Sequence, residues 1–382
     1  MTPSTALEGS SDIADVLPAL LPDRIVEIAE QLTRGPAALY VVDLQGSSLV
    51  RLSGAALFPA TIDIAGALGP EAGARTLDEL AREIDAVFAG GVLAPLWLRN
   101  RATAVLLATR DPAGSLDSFA RDVAPHFELA SGYTDVIDRA RRRRRTSAAA
   151  EVQQDLLAPR ITPIAGGEIA GTLLPAYDVG GDWFDHAENP EGAWLTVADA
   201  MGKGARATAV SALALAALRG ARRAGDSLEE CCQAVHATVG ELGVSEPTFL
   251  TAVISTWHAA SRTLAWVCCG HPPPLLVTAG GSSEELTSPV ALPLGLPDAS
   301  PRSFERGERH LYSGDRVIIY SDGITERRTA TARFGIDGLL AVVRSAEDTS
   351  PVATAAAIES AVLGASDERM SDDATQLILR VA

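Results

Sequence analysis

Four times in the second half of this chain an aspartate stands where an apolar run meets a turn. The first case is Val179-Gly180-Gly181-Asp182-Trp183-Phe184-Asp185. The second, Val197-Ala198-Asp199-Ala200-Met201-Gly202-Lys203-Gly204, runs from a strand into a glycine-flanked turn and then a helix. The third, Ile319-Tyr320-Ser321-Asp322-Gly323-Ile324-Thr325-Glu326, is again a strand ending in Asp-Gly, and the fourth, Ser371-Asp372-Asp373-Ala374-Thr375, opens the last strand. One aspartate at a strand end ordinarily caps a turn or the next helix. Four of them ask for a fold that brings several strand tips to one place. Carboxylates gathered there need a countercharge, and hard divalent cations such as Mg²⁺ or Mn²⁺ supply it. Two such ions, ~3.5–4 Å apart, can clamp an in-line phosphoryl displacement.

The pattern around these motifs predicts mostly strands. Ile169–Leu174, Ala193–Ala198, Phe249–Trp257, Thr263–Cys268, Pro274–Thr278, Arg316–Tyr320 and Ala374–Val381 read as strands. Helical periodicity appears over Ala205–Arg223, Leu228–Leu242, Ile336–Val343 and Pro351–Leu363. Strands in runs with helices in pairs predict antiparallel sheets packed together, with helices outside. The first part of the chain reads as a separate unit. Residues 1–20 are polar and predict a loose tail. A helix over Pro22–Arg34 follows, then strands Ala37–Val42 and Ser48–Leu52 about a Gln45-Gly46 turn. Next come a helix over Leu77–Phe88 and strands Val92–Leu98 and Ala102–Thr109 about Arg99-Asn100. A long helix starting near Leu116 is expected to run through the arginines at 141–145 to Leu157, ending by Pro159. Asp135–Arg139 and Asp138–Arg142 would support it as i,i+4 pairs. Val152, Leu156 and Leu157, with Gln153, form an apolar step at its end, placed to dock on the second domain.

Charge narrows the function. Residues 1–150 carry 15 arginines and 19 acidic residues, while residues 151–382 carry 17 basic residues against 30 acidic ones. A domain so acidic repels a phosphate backbone, so nucleic acid is not an expected partner. The adjacent cysteines, Cys231-Cys232 and Cys268-Cys269, lie in apolar stretches and read as buried thiols of a reducing compartment. The N-terminus has four acidic residues before its first arginine and no signal-peptide character. The longest apolar stretch, Ala207–Leu218, is shorter than the ~20 residues of a membrane span. A cytoplasmic location is the expectation.

The motifs GGDWFD, VADAMGKG, CCGHPPPLL, LPLGL, YSDGITE and SDDATQLIL stand in the order and approximate spacing of the SpoIIE-type branch of the PPM protein phosphatases, which the chain resembles from about Gln153 to Arg380. The resemblance implies an α+β fold: an α-β-β-α sandwich over 161–382, preceded by a tail (1–20), a smaller GAF-like α/β sensor domain (21–135) and a helical linker (136–160). The GAF likeness rests on element order and on the stretch APLWLRNRATAVLLATR. The activity implied is hydrolysis of phosphoserine or phosphothreonine on a partner protein, typically an anti-sigma-factor antagonist. A homodimer through the first domain and linker helix is compatible with it. The family comparison also implies two Mn²⁺ or Mg²⁺ ions held by Asp182, Asp199, the carbonyl of Ala200, Asp322 and Asp372, with Asp373 in or behind the ligand set and Asp185 a weaker candidate. No arginine lies between Ile161 and Ala205 to grip a phosphate, and the only base there is Lys203. His271, before three prolines, reads as a turn brace in preference to a general acid. A catalytically weak PPM-like signalling module is the alternative, and a metallohydrolase of small phosphate esters is disfavoured because no GxxxxGK[ST] phosphate loop is present.

Overall fold

In the computed structural model of the chain the described residues are 13–44, 48–63, 81, 82, 84, 85, 89–142, 145–174, 180–243, 247–289, 291–297, 303–329, 332–346, 350–366, 368, 370 and 372–382. The chain divides into two compact units, Met1–Arg145 and Thr146–Ala382.

In the first unit, helix α1 (Leu21–Thr33) precedes strands β1 (Ala37–Val42), β2 (Ser48–Gly54), β3 (Thr61–Asp63), β4 (Val92–Leu98) and β5 (Arg101–Ala108). Helices α2 (Leu116–Ser131) and α3 (Val136–Arg141) follow. The strands form one antiparallel sheet in the order β3-β2-β1-β5-β4. Arg99 and Asn100 turn β4 into β5 with φ of 48° and 64°, the left-handed pair that a two-residue hairpin of this twist requires. Ile25 and Ala29 of α1 and Phe119, Val123 and Phe127 of α2 cover one face of the sheet.

Two expectations for this unit are corrected. Ile13 is only 2% exposed and belongs to the apolar core, with Val16 packed against it, so the chain is anchored from residue 13 although Leu17 and Leu20 stay exposed. The rod from Leu116 to Leu157 is not continuous. Helix α2 stops at Ser131, with the Gly132 and Tyr133 amides bonded back to Leu129 and Ala130. Helix α3 then buries Ile137 in the core, and the Leu44 amide caps the Arg141 carbonyl. Arg142 is extended at ψ 102°, although its pair with Asp138 forms at 3.4 Å. A new helix begins only at Ala148, where Ser147 caps it by accepting from the Ala150 amide. The predicted helix at Leu77–Phe88 and the Gln45-Gly46 turn lie largely outside the described residues.

The second unit opens with α4 (Ala148–Leu156), β6 (Ile161–Ile164), β7 (Gly167–Leu174), β8 (Trp183–Asn189) and β9 (Gly192–Ala200). The helix pair α5 (Ala205–Ala224) and α6 (Leu228–Leu242) comes next, α6 starting in a capping box between Ser227 and Glu230. Then follow β10 (Leu250–His258), β11 (Thr263–Cys269), β12 (Leu275–Val277), β13 (Ser283–Glu285), β14 (Gly307–His310) and β15 (Arg316–Tyr320). The chain closes with α7 (Asp322–Thr325), α8 (Gly335–Ser345), α9 (Pro351–Gly364) and β16 (Ala374–Val381).

Its strands form two antiparallel sheets, ordered β14-β11-β10-β9-β8 and β13-β12-β15-β16-β7-β6. Alternation along each strand sorts side chains into separate apolar layers. Phe184, Leu195, Val197 and Val253 from the first sheet pack with Ile169, Val317, Ile319 and Leu377 from the second. On the other side of the first sheet, Ala198, Ala252 and Ile254 meet Val210, Ala214, Cys232 and Val235 of α5 and α6. On the other side of the second, Ile318, Tyr320 and Ile378 meet Leu339, Val343, Ile358 and Val362 of α8 and α9. All four cysteines are free thiols, and none is exposed.

Helix α9 also buries one ionisable group. Glu359 is 3% exposed, and burial pushes its carboxyl up to about 7, with Arg160 and Thr172 acting in the opposite sense. A folded-state value above the unfolded one, about 4.3 for glutamate, means that this group's contribution is full at low pH and is lost as pH rises towards and through 7. Glu359→Gln keeps the neutral shape. Its urea midpoint relative to wild type should therefore climb between pH 5 and pH 8, and a pH-independent difference would contradict the burial argument.

Candidate metal centre and active site

The two sheets bring the predicted aspartates together at one end of the second unit. Asp199 is the penultimate residue of β9, and Asp182 immediately precedes β8, the neighbouring strand. Asp322 starts the short α7 directly after β15, and Asp372 and Asp373 immediately precede β16, the strand paired with β15. Antiparallel pairing thus turns four motifs spread over 190 or so residues of sequence into one site.

Backbone contact fixes the geometry. A Cβ on Gly181 would lie 2.3 Å from the Ala200 carbonyl oxygen, and one on Gly323 would lie 1.8 Å from the Asp373 carbonyl oxygen. Only glycine permits those approaches. The Ala200 amide and the Ser211 hydroxyl both donate to the Gly181 carbonyl, at 3.3 and 2.5 Å. The Ser321 amide donates to the Thr375 carbonyl and the Thr375 amide to the Ser321 hydroxyl, at 2.9 and 3.0 Å, which locks the third motif to the fourth.

The electrostatics are those of carboxylates held near one another with little cationic charge. Burial raises the pKa of Asp182 well above the carboxylate range, and the neighbouring Asp199 and Asp373 raise it further, against the hydroxyls of Ser321 and Thr375. Its Oδ2 is buried with no hydrogen-bond partner among the described residues. Asp199 is pushed up to about 7, first by burial and then by Asp322, with Asp372 and Asp373 adding to it and a hydrogen bond to Asp182 opposing. Asp322 is raised by desolvation, Glu326 and Asp372. Among the described residues no group of three or more His, Cys, Asp or Glu side chains is gathered closely enough to hold one ion as it stands. The donor set nevertheless fits hard divalent cations: oxygen ligands alone, mutually repelling, with a buried oxygen that has nothing to accept from.

The other sequence candidates fall into place around this set. Asp373 is 1% exposed, and its Oδ2 accepts a 2.8 Å hydrogen bond from Gln153 of α4, whose Nε2 also reaches the Asp182 carbonyl at 2.9 Å. Gln153 thereby ties two motifs together, a role that its place in the apolar step only hinted at. Leu156 and Leu157 do pack on the core, but Val152 is 42% exposed and does not dock. Asp185 is removed from the metal set. Its buried carboxylate is fully engaged by Arg219 at 2.7 Å and Arg222 at 2.9 Å, both from α5. Lys203 stands 4.0 Å from Asp372, and both side chains are about half exposed. His271 is buried, its Nδ1 lies 2.8 Å from the Thr251 hydroxyl, and its carbonyl accepts from Cys268 Sγ. Burial depresses its pKa to about 4, so the ring is neutral at ordinary pH and braces the turn, as its sequence context suggested.

Comparison with known proteins identifies the family. The family described as Stage II sporulation protein E (SpoIIE) matches residues 189–382, just over half of the chain. Phosphoserine phosphatase RsbU of Bacillus subtilis (strain 168) is 23% identical over 232 residues, 61% of this chain and 68% of the relative. A crystal structure of the RsbU and RsbW domains of a Mycobacterium tuberculosis protein superposes with a TM-score of 0.50 at 28% identity, over 59% of this chain and 62% of that one. This chain therefore spans less than two thirds of that structure. The PP2C phosphatase domain of SpoIIE from Bacillus subtilis, with a fragment of its regulatory domain, gives a TM-score of 0.50 over 98% of this chain and 95% of that one. At 13% identity this is a likeness of fold.

The Asp185 assignment is testable. Breaking a buried ion pair typically costs 3–5 kcal/mol because a charge is left unpaired. Arg219 is a quarter exposed, so the lower end applies. Asp185→Asn should lose about 3 kcal/mol of stability in urea titration while its Mn²⁺ affinity stays at the wild-type value. A large loss of Mn²⁺ affinity at unchanged stability would return Asp185 to the ligand set.

Proposed function

Because the chain belongs to the SpoIIE family, we propose that its second unit is a metal-dependent protein serine/threonine phosphatase, built as a helix–sheet–sheet–helix sandwich. The observation that carries this reading is the gathering of Asp182, Asp199, Asp322, Asp372 and Asp373 at the ends of paired strands. Asp182, Asp199, the Ala200 carbonyl, Asp322 and Asp372 would hold Mn²⁺ or Mg²⁺. When bound, a pair of such ions supplies the positive charge that attracts a phosphate and the acidity that readies water for in-line attack on phosphorus. The protein's own part is positional. Gly181 and Gly323 let the four motifs close on each other, and Gln153 fixes Asp373 against Asp182. The neutral His271 is not a proton donor at physiological pH, which leaves protonation of the departing serine or threonine oxygen to water.

The substrate is proposed to be a phosphoserine or phosphothreonine on a partner protein of the anti-sigma-factor-antagonist class, consistent with the RsbU relative's name as a phosphoserine phosphatase. The first unit is proposed as a GAF-like sensor on the strength of its helix-covered antiparallel sheet. Among the described residues no helix is long and apolar enough to cross a membrane.

Hydrolysis of a phosphoserine protein should disappear with EDTA and return with Mn²⁺ or Mg²⁺. Asp199→Asn and Asp322→Asn should lower kcat by orders of magnitude with the fold intact. His271→Ala should cost less than about tenfold, 1.4 kcal/mol of barrier. Activity that persists in excess EDTA excludes the mechanism, and a wild-type protein inert with either metal would leave the binding-module alternative.

A further inference from the structure

Beside the metal carboxylates lies a polar cleft of about 440 Å³, whose walls include Asp322, Gly323, Glu326 and Asp372 on one hand and Arg328 and Arg333 on the other. The arginines come from a short hairpin that follows the third aspartate motif. Arg328 and Arg333 form an isolated antiparallel bridge. The Phe334 amide donates to the Arg327 carbonyl at 2.8 Å, and the Thr329 amide to the Ala332 carbonyl at 2.9 Å. The Ala332 amide also donates to the Thr329 hydroxyl at 3.0 Å. Paired positions across such a bridge face the same way, so both guanidinium-bearing side chains rise from one face of the hairpin.

The nearby cations are not equivalent. Arg327 is buried and donates to the carbonyls of Val362, Ser366 and Glu368 at 3.2, 2.8 and 2.7 Å, which roots the hairpin against the end of α9. Arg333 pairs with Glu326, and Lys203 stands against Asp372. Arg328 is exposed and makes no hydrogen bond or ion pair among the described residues, although carboxylates line the same cleft. Its five donors are uncommitted in a unit where acids far outnumber bases.

We propose that Arg328 receives the phosphate group of the substrate, on the wall of the cleft beside Asp322 and Asp372. This rests on the phosphatase reading above and gives it a substrate-binding residue. The sequence between Ile161 and Ala205 offers no arginine for the task, and the hairpin that follows Asp322 supplies one. A planar guanidinium suits a phosphate better than an ammonium because two parallel N–H donors match two phosphate oxygens. Arg328 acts in binding, and the reacting phosphorus is handled by the aspartate set.

The test uses the full chain with Mn²⁺, p-nitrophenyl phosphate as a substrate with no flanking residues, and inorganic phosphate as a ligand. Arg328→Ala should raise both KM for p-nitrophenyl phosphate and the inhibition constant of inorganic phosphate by about tenfold or more, the scale of a lost charge-assisted hydrogen bond. It should leave kcat within about threefold and the unfolding midpoint at the wild-type value, because the side chain is exposed and unpaired. Arg328→Lys should recover part of the loss, and Arg333→Ala should change both constants far less. Calorimetric titration of inorganic phosphate into the Mn²⁺-loaded protein should show the same weakening without any turnover. Unchanged KM and phosphate affinity in a folded Arg328→Ala would overturn the assignment. So would an effect confined to phosphopeptides with acidic flanks, since Arg328 would then be reading a neighbouring carboxylate. Wild-type protein that binds phosphate through Arg328 yet hydrolyses nothing would sink the phosphatase reading and leave this site standing.

Discussion

Several carboxylates are held close to one another at the end of a β-sandwich, two of them buried, and the rest of the second unit serves to keep them there. Burial and mutual repulsion raise Asp182 and Asp199 far out of their ordinary range. Such an arrangement opposes folding, because each charge loses water and faces another of the same sign. It survives because the apolar layers between the sheets and beneath the helices stabilise the unit elsewhere. The backbone near the site is pinned by contacts that no side chain could replace. Gly181 against Ala200 and Gly323 against Asp373 leave no room even for a methyl group.

A second set of charges is treated in the opposite way. Asp185 is neutralised by two arginines of α5, one of which also donates to the Leu156 carbonyl at the end of α4. Arg327 is likewise consumed by three carbonyls. These groups are satisfied and therefore structural. Asp182 Oδ2, by contrast, is buried at the site with no partner among the described residues, and the exposed Arg328 guanidinium stands unpaired in the adjoining cleft. Buried polar groups almost always find partners, so an orphan beside a carboxylate set points to chemistry.

Much of this was legible in the sequence because it depends on local pattern. Strands β1, β4, β15 and β16 and helix α6 have the boundaries that alternation and helical period predict. The strand-end aspartates were visible for the same reason, since an Asp beside Gly after an apolar run marks a strand tip. Three things were hidden because they depend on long-range contacts. Strand β8 looked like part of a glycine turn, and pairing with β9 makes it a strand. Asp185 could be recognised as a salt-bridge partner only once α5 lay against it. The break between α2 and α4 escaped because the helical charge pairs Asp135–Arg139 and Asp138–Arg142 fall inside it, while the burial of Ile137 and the capping of Arg141 were tertiary events.

The central claim is that these carboxylates are strained alone and are relieved by a divalent cation. The direct measurement is the unfolding midpoint of the wild-type chain and of Asp199→Asn, each in EDTA and in Mn²⁺. Removing one charge of a repelling set relieves the metal-free protein, so in EDTA the variant should be at least as stable as wild type. Saturating Mn²⁺, at 100 times its dissociation constant, should stabilise wild type by about 2.7 kcal/mol per site and the variant much less, so that the order of the two midpoints reverses. A variant less stable than wild type in EDTA, together with equal Mn²⁺ shifts in both proteins, would contradict the account.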